Sequence, residues 1–221
     1  KFYAIKVCHK GILRRRRIGM STALQDVVRE IAIMKSLNHV NVVRLHEIIN
    51  DSDHEKLYMV LDYMAGGPIS KSGEIIEEER ARRYFADVVT GLDYIHKQHI
   101  IHRDIKPENL LVDDEGVVKI SDFGVSHIFD DDDTLSSSAG SPAFLAPELC
   151  TAGAKASGKA VDVWACGITL YFILTGRVPF MADNVIEIYD AIRQDELVIP
   201  ENISPEPRNL LTRLLTKDPA Q

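Results

Sequence analysis

A chain of 221 residues with 45% hydrophobic and 27% charged side chains has the composition of an ordinary globular protein, which excludes disordered, collagen-like and coiled-coil chains. The net charge of −7 is unevenly spread: residues 1–25 hold seven basic side chains and no acidic one, so the remainder is strongly acidic and a poor surface for nucleic acid. Cys8, Cys150 and Cys166 stand at no zinc or Cys-x-x-Cys spacing, so no disulfide framework is expected, and a reducing, intracellular compartment fits. No signal peptide is visible; the expected location is cytoplasmic, with the nucleus as an alternative.

In chain order, 2–7 reads as a strand and 14–22 as a polar connector. Leu24, Val27, Val28, Ile31 and Met34 recur at helical spacing and predict an amphipathic helix over 24–37. Segments 42–49 and 57–63 read as strands around a polar turn. Ala65-Gly66-Gly67-Pro68 is a breaker cluster that predicts a boundary between two lobes, 1–64 and 65–221. Beyond it, Ala81, Tyr84, Phe85, Val88, Leu92 and Ile95 mark a long helix, and Glu77 to Glu79 suit its positive N-terminal end. Short strands are expected at 110–112 and 117–120, a polar loop at 130–138, and helices at 161–175, 185–194 and 207–215. The longest apolar run, 163–174, has 12 residues. A membrane span needs about 20, so the run reads as a buried core helix, and no membrane partner is expected.

One motif is a decoy. Gly153 to Ala160 nearly matches the phosphate-binding pattern GxxxxGK[ST], but Ala160 has no hydroxyl to hold magnesium and no strand feeds the loop. The segment reads as a flexible connector.

The informative fragments come in one order: Tyr3-Ala4-Ile5-Lys6 on a strand, Glu30 on a helix, His102-Arg103-Asp104-Ile105-Lys106-Pro107-Glu108-Asn109, Asp122-Phe123-Gly124, and Ala146-Pro147-Glu148. Alone, Lys6 reads as an outward-facing strand lysine, Glu30 as a surface charge, and Asp104 and Asp122 as turn or capping residues. Together they match the protein-kinase set VAIK, HRDxxxxN, DFG and APE, and the chain resembles the catalytic domain of eukaryotic serine/threonine protein kinases over essentially its whole length. The resemblance implies an α+β, two-lobed fold. The strands of a Gly-rich loop before Lys6 are expected to be missing from the N-lobe, and the last helices from the C-lobe.

The resemblance also implies ATP and magnesium. Asp104 would take the proton of the substrate hydroxyl, and Lys106 would stabilise the transferring phosphate. Lys6 would hold the α- and β-phosphates and pair with Glu30. Asn109 and Asp122 would ligate magnesium, which prefers oxygen donors. Leu61 would be the gatekeeper, backbone groups of Asp62 and Met64 would meet adenine, Ala4 and Leu111 would sandwich the ring, and Glu108 is assigned to the nucleotide. Ser141 is implied to contact the catalytic aspartate and lysine. His102 and Arg103 are expected as structural supports, Arg103 also being available to a phosphate, and Asp162 as a buried structural carboxylate.

Gly66-Gly67-Pro68, Val125-Ser126, Ser141-Pro142-Ala143-Phe144 and residues 158–164 further resemble the calcium/calmodulin-dependent protein kinase kinases and their plant and fungal relatives that activate SnRK1/AMPK-type kinases. Residues 130–133 and 45–50 look closest to the plant type. This implies protein substrates that are themselves kinases, phosphorylated on an activation-loop threonine, with any calmodulin contact made by segments outside this chain. Arg14 to Arg17 reads as a solvated loop or as a docking patch for acidic or phosphorylated surfaces. Ser138 or a neighbour either takes a phosphate that pairs with Arg103, or the loop is ordered without one. The alternatives are a serine/threonine kinase of another subfamily and a pseudokinase scaffold; intact Lys6, Asp104, Asn109 and Asp122 argue against the scaffold.

Overall fold

Every second residue of the first strand, β1 (Tyr3–His9), is at least partly covered, while Tyr3, Ile5 and Val7 face outward. The structure, a computed structural model, describes residues 2–13, 23–50, 55–71, 73–135, 139–151 and 153–218; Arg14 to Arg17 and Ser138 lie outside them. A single turn, α1 (Lys10–Leu13), follows β1. Then come α2 (Ala23–Ser36), which buries Val27, Ile33 and Met34, and two strands, β2 (Leu45–Asn50) and β3 (Lys56–Asp62). The three strands form an antiparallel sheet of order β1-β3-β2, with Lys6 opposite Met59 and Ala4 opposite Leu61.

The strand expected over 42–49 is shorter, beginning at Leu45. Residues 41–43 leave the sheet and stitch it to a distant strand. Val43 N donates to Ile120 O at 2.9 Å, Ile120 N to Asn41 O at 2.9 Å, and the buried Asn41 Nδ2 to Val118 O at 3.0 Å. Removing that side chain leaves a buried carbonyl short of a partner. Asn41→Ala is therefore expected to cost about 1–3 kcal/mol. At about 2–4 °C per kcal/mol for a chain of this size, calorimetry should see the midpoint fall by several degrees; an unmoved midpoint would mean that the stitch carries no stability.

The remaining elements are β4 (Gly67–Pro68), α3 (Glu78–Lys97), β5 (Ile100–Ile101), β6 (Leu110–Val112), β7 (Val118–Ile120), β8 (His127–Ile128), β9 (Thr134–Leu135), β10 (Ala156–Ser157), α4 (Gly158–Thr175), α5 (Val185–Gln194) and α6 (Pro205–Leu214). Short sheets β4-β6-β7, β5-β8 and β9-β10 join them. α3 turns Ala81, Val88, Leu92 and Ile95 inward against α4 and β7. α4 is long and apolar enough by composition to cross a membrane, but here it is the buried axis of the helical part, covered by α3 and α6. Ile168 of α4 and, elsewhere in the core, Ile95, Ile101, Ile105, Leu110 and Ile120 are fully buried, each contributing about 1.5–3 kcal/mol of transfer free energy.

Two further expectations are corrected. The polar loop at 130–138 contains β9, which pairs with β10. The connector at 153–160 is partly helix: α4 starts at Gly158, with Ser157 Oγ accepting from Ala160 N at 3.3 Å as its N-cap. The three cysteines are buried thiols.

Candidate active site

The loop after β5 is held from below by α4. Asp162, one turn into α4, is fully buried, and its two carboxylate oxygens accept from His102 N at 2.9 Å and Arg103 N at 2.8 Å. His96 Nε2, from α3, sits 2.8 Å from the same carboxylate. Arg103 has φ +70°, a conformation costly for a side chain of its size, and Asp162 fastens its amide there. The His102 ring packs edge-on against buried Phe123, and its Nε2 lies 2.9 Å from Ser121 O.

So anchored, the loop presents Asp104. One carboxylate oxygen accepts from Ser141 N at 3.1 Å and Ser141 Oγ at 3.0 Å. The other meets Lys106 Nζ at 2.7 Å and Asn109 Nδ2 at 2.9 Å. Lys106 Nζ also donates to Ser141 Oγ at 2.8 Å. Burial by itself would raise the Asp104 pKa, but the Lys106 ammonium, Ser141 and Asn109 outweigh it and hold the carboxyl below its ordinary range. Gly140 makes this approach possible: its φ is +99°, and a Cβ there would lie 2.3 Å from Arg103 O.

A second charged group stands across the cleft. Lys6 Nζ donates to Glu30 at 2.6 Å and lies 3.7 Å from Asp122. Glu30 is buried on α2. Burial pushes the Lys6 pKa down, but Glu30 and then Asp122 reverse the shift, so the ammonium is retained. Asp122 has φ +62°, with the next residue, Phe123, packed into the core while its own carboxylate stays half exposed beside Lys6.

This second group lines a cavity of about 420 Å³, which Asn109 joins to the first. Ala4, Val43, Leu61 and Leu111 give it apolar walls, Asp62, Tyr63 and Met64 run along one side, and Lys6, Glu30, Asn109 and Asp122 make its polar end. An apolar slot ending in an ammonium and two side-chain oxygen donors fits a flat base with phosphates. Asn109 has committed its Nδ2 to Asp104, which leaves Oδ1 as its donor, and the Asp122 carboxylate is exposed. These are hard oxygen ligands of the kind magnesium takes, and the ion would supply charge neutralisation to bound phosphates.

The structure thus brings Ala4, Lys6, Glu30, Leu61, Asp62, Met64, Leu111, Asn109 and Asp122 to one cavity, with Asp104 and Lys106 beside Asn109. Glu108 is not among the lining residues; its side chain is exposed. The Asp62 carboxylate is engaged elsewhere, 2.7 Å from His46 Nε2, 3.6 Å from Lys119 Nζ and accepting from Arg44 N at 3.2 Å. Met34, Val43, Tyr63 and Ser121 also line the cavity. Apolar periodicity could flag Met34 and Val43 only as core. Asp162 does more than fill a buried position: it sets the backbone on which Asp104 stands.

The family model for the protein kinase domain matches residues 1–221. A protein of Dictyostelium discoideum named a probable serine/threonine-protein kinase is 51% identical over 98% of this chain and 32% of its own length. Serine/threonine-protein kinase GRIK2 of Arabidopsis thaliana is 48% identical over 100% of this chain and 56% of its own. The calcium/calmodulin-dependent protein kinase kinase of Caenorhabditis elegans is 45% identical over 89% of this chain and 38% of its own. The chain therefore spans between about a third and somewhat over half of the curated relatives it matches. With the Asp104, Lys6 and Asp122 arrangement in place, these likenesses have one meaning: the 221 residues belong to the protein kinase domain family, among its serine/threonine-protein kinases.

Proposed function

We propose that the protein carrying this chain transfers the γ-phosphate of magnesium-bound ATP to protein hydroxyls, and that its substrate is the activation-loop threonine of an AMPK/SnRK1-type kinase. The observation that carries the chemistry is the triangle of Asp104, Lys106 and Ser141 beside a cavity that ends in Lys6, Asn109 and Asp122. Phosphoryl transfer depends on positioning and charge neutralisation more than on covalent help from the protein. The Asp104 carboxylate is ionised at neutral pH and orients an incoming hydroxyl, taking its proton as the bond to phosphorus forms. Lys106 Nζ, 2.7 Å from that carboxylate, faces the charge that builds on the transferred group. Lys6, held by Glu30, steadies the phosphates that stay behind.

The substrate assignment is supported by the likeness to relatives named GRIK2 and calcium/calmodulin-dependent protein kinase kinase. The test supplies the full-length protein with magnesium-ATP and an inactive AMPK/SnRK1-type catalytic domain, and maps the phosphorylated residue. Transfer to the activation-loop threonine is expected. Labelling of generic protein alone would keep the transfer chemistry and discard the substrate; ATP binding with no transfer to any acceptor would discard both.

A further inference from the structure

The run Asp130 to Asp133 lies between Asp122 and Ser141, on the stretch that must be in place for Ser141 to meet Asp104 and Lys106. The Asp133 side chain is only half exposed and closes on the start of α4. One carboxylate oxygen accepts from Ser157 Oγ at 2.7 Å and from Lys159 N at 3.0 Å, while the Asp133 carbonyl accepts from Gly158 N at 2.9 Å. The next two residues, Thr134 and Leu135, pair with Ser157 and Ala156, and Leu135 is buried. Asp132 secures the corner by accepting from Thr134 N at 2.9 Å.

At the positive end of an 18-residue helix the Asp133 carboxylate thus takes one backbone amide, Lys159 N, and the Ser157 hydroxyl, while its carbonyl takes a second amide, Gly158 N. Gly158 is what lets the two segments close: a Cβ there would lie 2.7 Å from Ile101 and 3.0 Å from the Asp133 carbonyl. One turn further along the same helix, Asp162 holds His102 N and Arg103 N. The start of α4 therefore holds both the loop carrying Asp104 and residues 133–135, upstream of Ser141. Further on, Ser141 is bonded to Asp104 and Lys106, and Gly140 passes close to Arg103.

We infer that Asp133 is a positioning residue: seated on the first turn of α4, it fixes the segment that carries Ser141 against Asp104 and Lys106, and no phosphate is needed for that. The inference rests on the catalytic reading of the site given above. Burial would raise the Asp133 pKa, but the Lys159 amide and Ser157 hydroxyl outweigh it, so the group stays charged through neutral pH.

The test uses the full-length protein as wild type, Asp133→Ala and Asp133→Asn, all treated with phosphatase and with the transfer reaction and amide hydrogen exchange both measured. Asp133→Ala should lower kcat about tenfold while KM for ATP stays within about twofold, since the lost contact, worth about a factor of ten, acts on Ser141 and not on the cavity. Asp133→Asn, which keeps an acceptor oxygen, should fall between. In Asp133→Ala the amides of Leu135, Gly158 and Lys159 should exchange about tenfold faster, with those of 168–174 unchanged. Wild-type kcat in Asp133→Ala, faster exchange spread through all of α4, or a wild type inactivated by phosphatase would each overturn the inference. A wild type that transfers no phosphate before or after phosphatase would defeat the catalytic reading; unchanged exchange at Leu135, Gly158 and Lys159 would then defeat this inference too.

Discussion

Asp104→Asn is expected to reduce kcat about 10³-fold, within the about 10²–10⁴-fold range that a positioned base contributes, while KM for ATP stays within about twofold. The substitution preserves shape and two of the four contacts: Ser141 N and Oγ can still donate to the amide oxygen, while the amide nitrogen cannot accept from Lys106 Nζ or Asn109 Nδ2. What it removes is the charge and the proton acceptor. Asp104 does not line the cavity wall that would take a base, so nucleotide affinity should hold. The pH dependence follows from the sign of the shift. A carboxyl whose pKa is depressed in the fold contributes stability above its ordinary value of 3.8 and loses it only as the pH falls through the lower folded value. Asp104 should therefore impose no loss of rate between neutral pH and 3.8, and an acid limb above that value that vanished in Asp104→Glu would contradict the assignment. Turnover in Asp104→Asn within about tenfold of wild type, less than a positioned base ordinarily contributes, would remove Asp104 from the chemistry.

Asp162→Ala is expected to do more damage to the molecule as a whole. It strips the acceptor from the buried amide His102 N, the part-buried amide Arg103 N and the His96 ring. Orphaned buried donors cost about 1–3 kcal/mol each, so the loss should reach about 3–5 kcal/mol, a large part of the about 5–15 kcal/mol by which domains are stable. At about 2–4 °C per kcal/mol, the midpoint should drop by roughly 10 °C. Activity should fall too, beyond what unfolding explains. Arg103 at φ +70° is held by this carboxylate, and Asp104 is the next residue. Freed of the anchor, the strained peptide relaxes and carries the carboxylate with it; a misplacement of about 1 Å can cost about 10²-fold. Assays well below the variant's midpoint separate the two effects. A stable Asp162→Ala, or a folded one with wild-type kcat, would show that the loop is held by something else.

Elements stabilised by their own periodic faces are legible in the sequence. The Leu24 to Met34 stripe marks α2 to within a residue at each end, and Ala81 to Ile95 mark α3, because an apolar face repeating every three to four residues is a local property. The same holds for the loop chemistry: Asp104, Lys106 and Asn109 share one short segment, and their spacing alone puts them within reach of one another. The two-residue strands β4, β5, β8, β9 and β10 are not legible, since two residues carry no alternation and each exists only because a distant partner offers hydrogen bonds. Val42 and Val43 read as strand, yet residues 41–43 pair with β7 because Ile120 N donates to Asn41 O and Ile120 O accepts from Val43 N there.

The same division runs through the site. Which acids, amides and ammonium groups the chain owns, and in what order they come, is written in the residues alone. Packing decides that Lys6 meets Glu30 and Asp122, that Met34, Val43, Tyr63 and Ser121 complete the cavity, and that Glu108 lies outside it. Packing also decides that Asp162, an ordinary acid in the chain, takes hold of backbone amides of the loop carrying Asp104, and that Asp133 takes hold of one at the start of α4. Those contacts join residues tens of positions apart. They form only when burial of the helices and sheets has met the entropy of closing the loops between them, which is a property of the whole packed chain and of no segment within it.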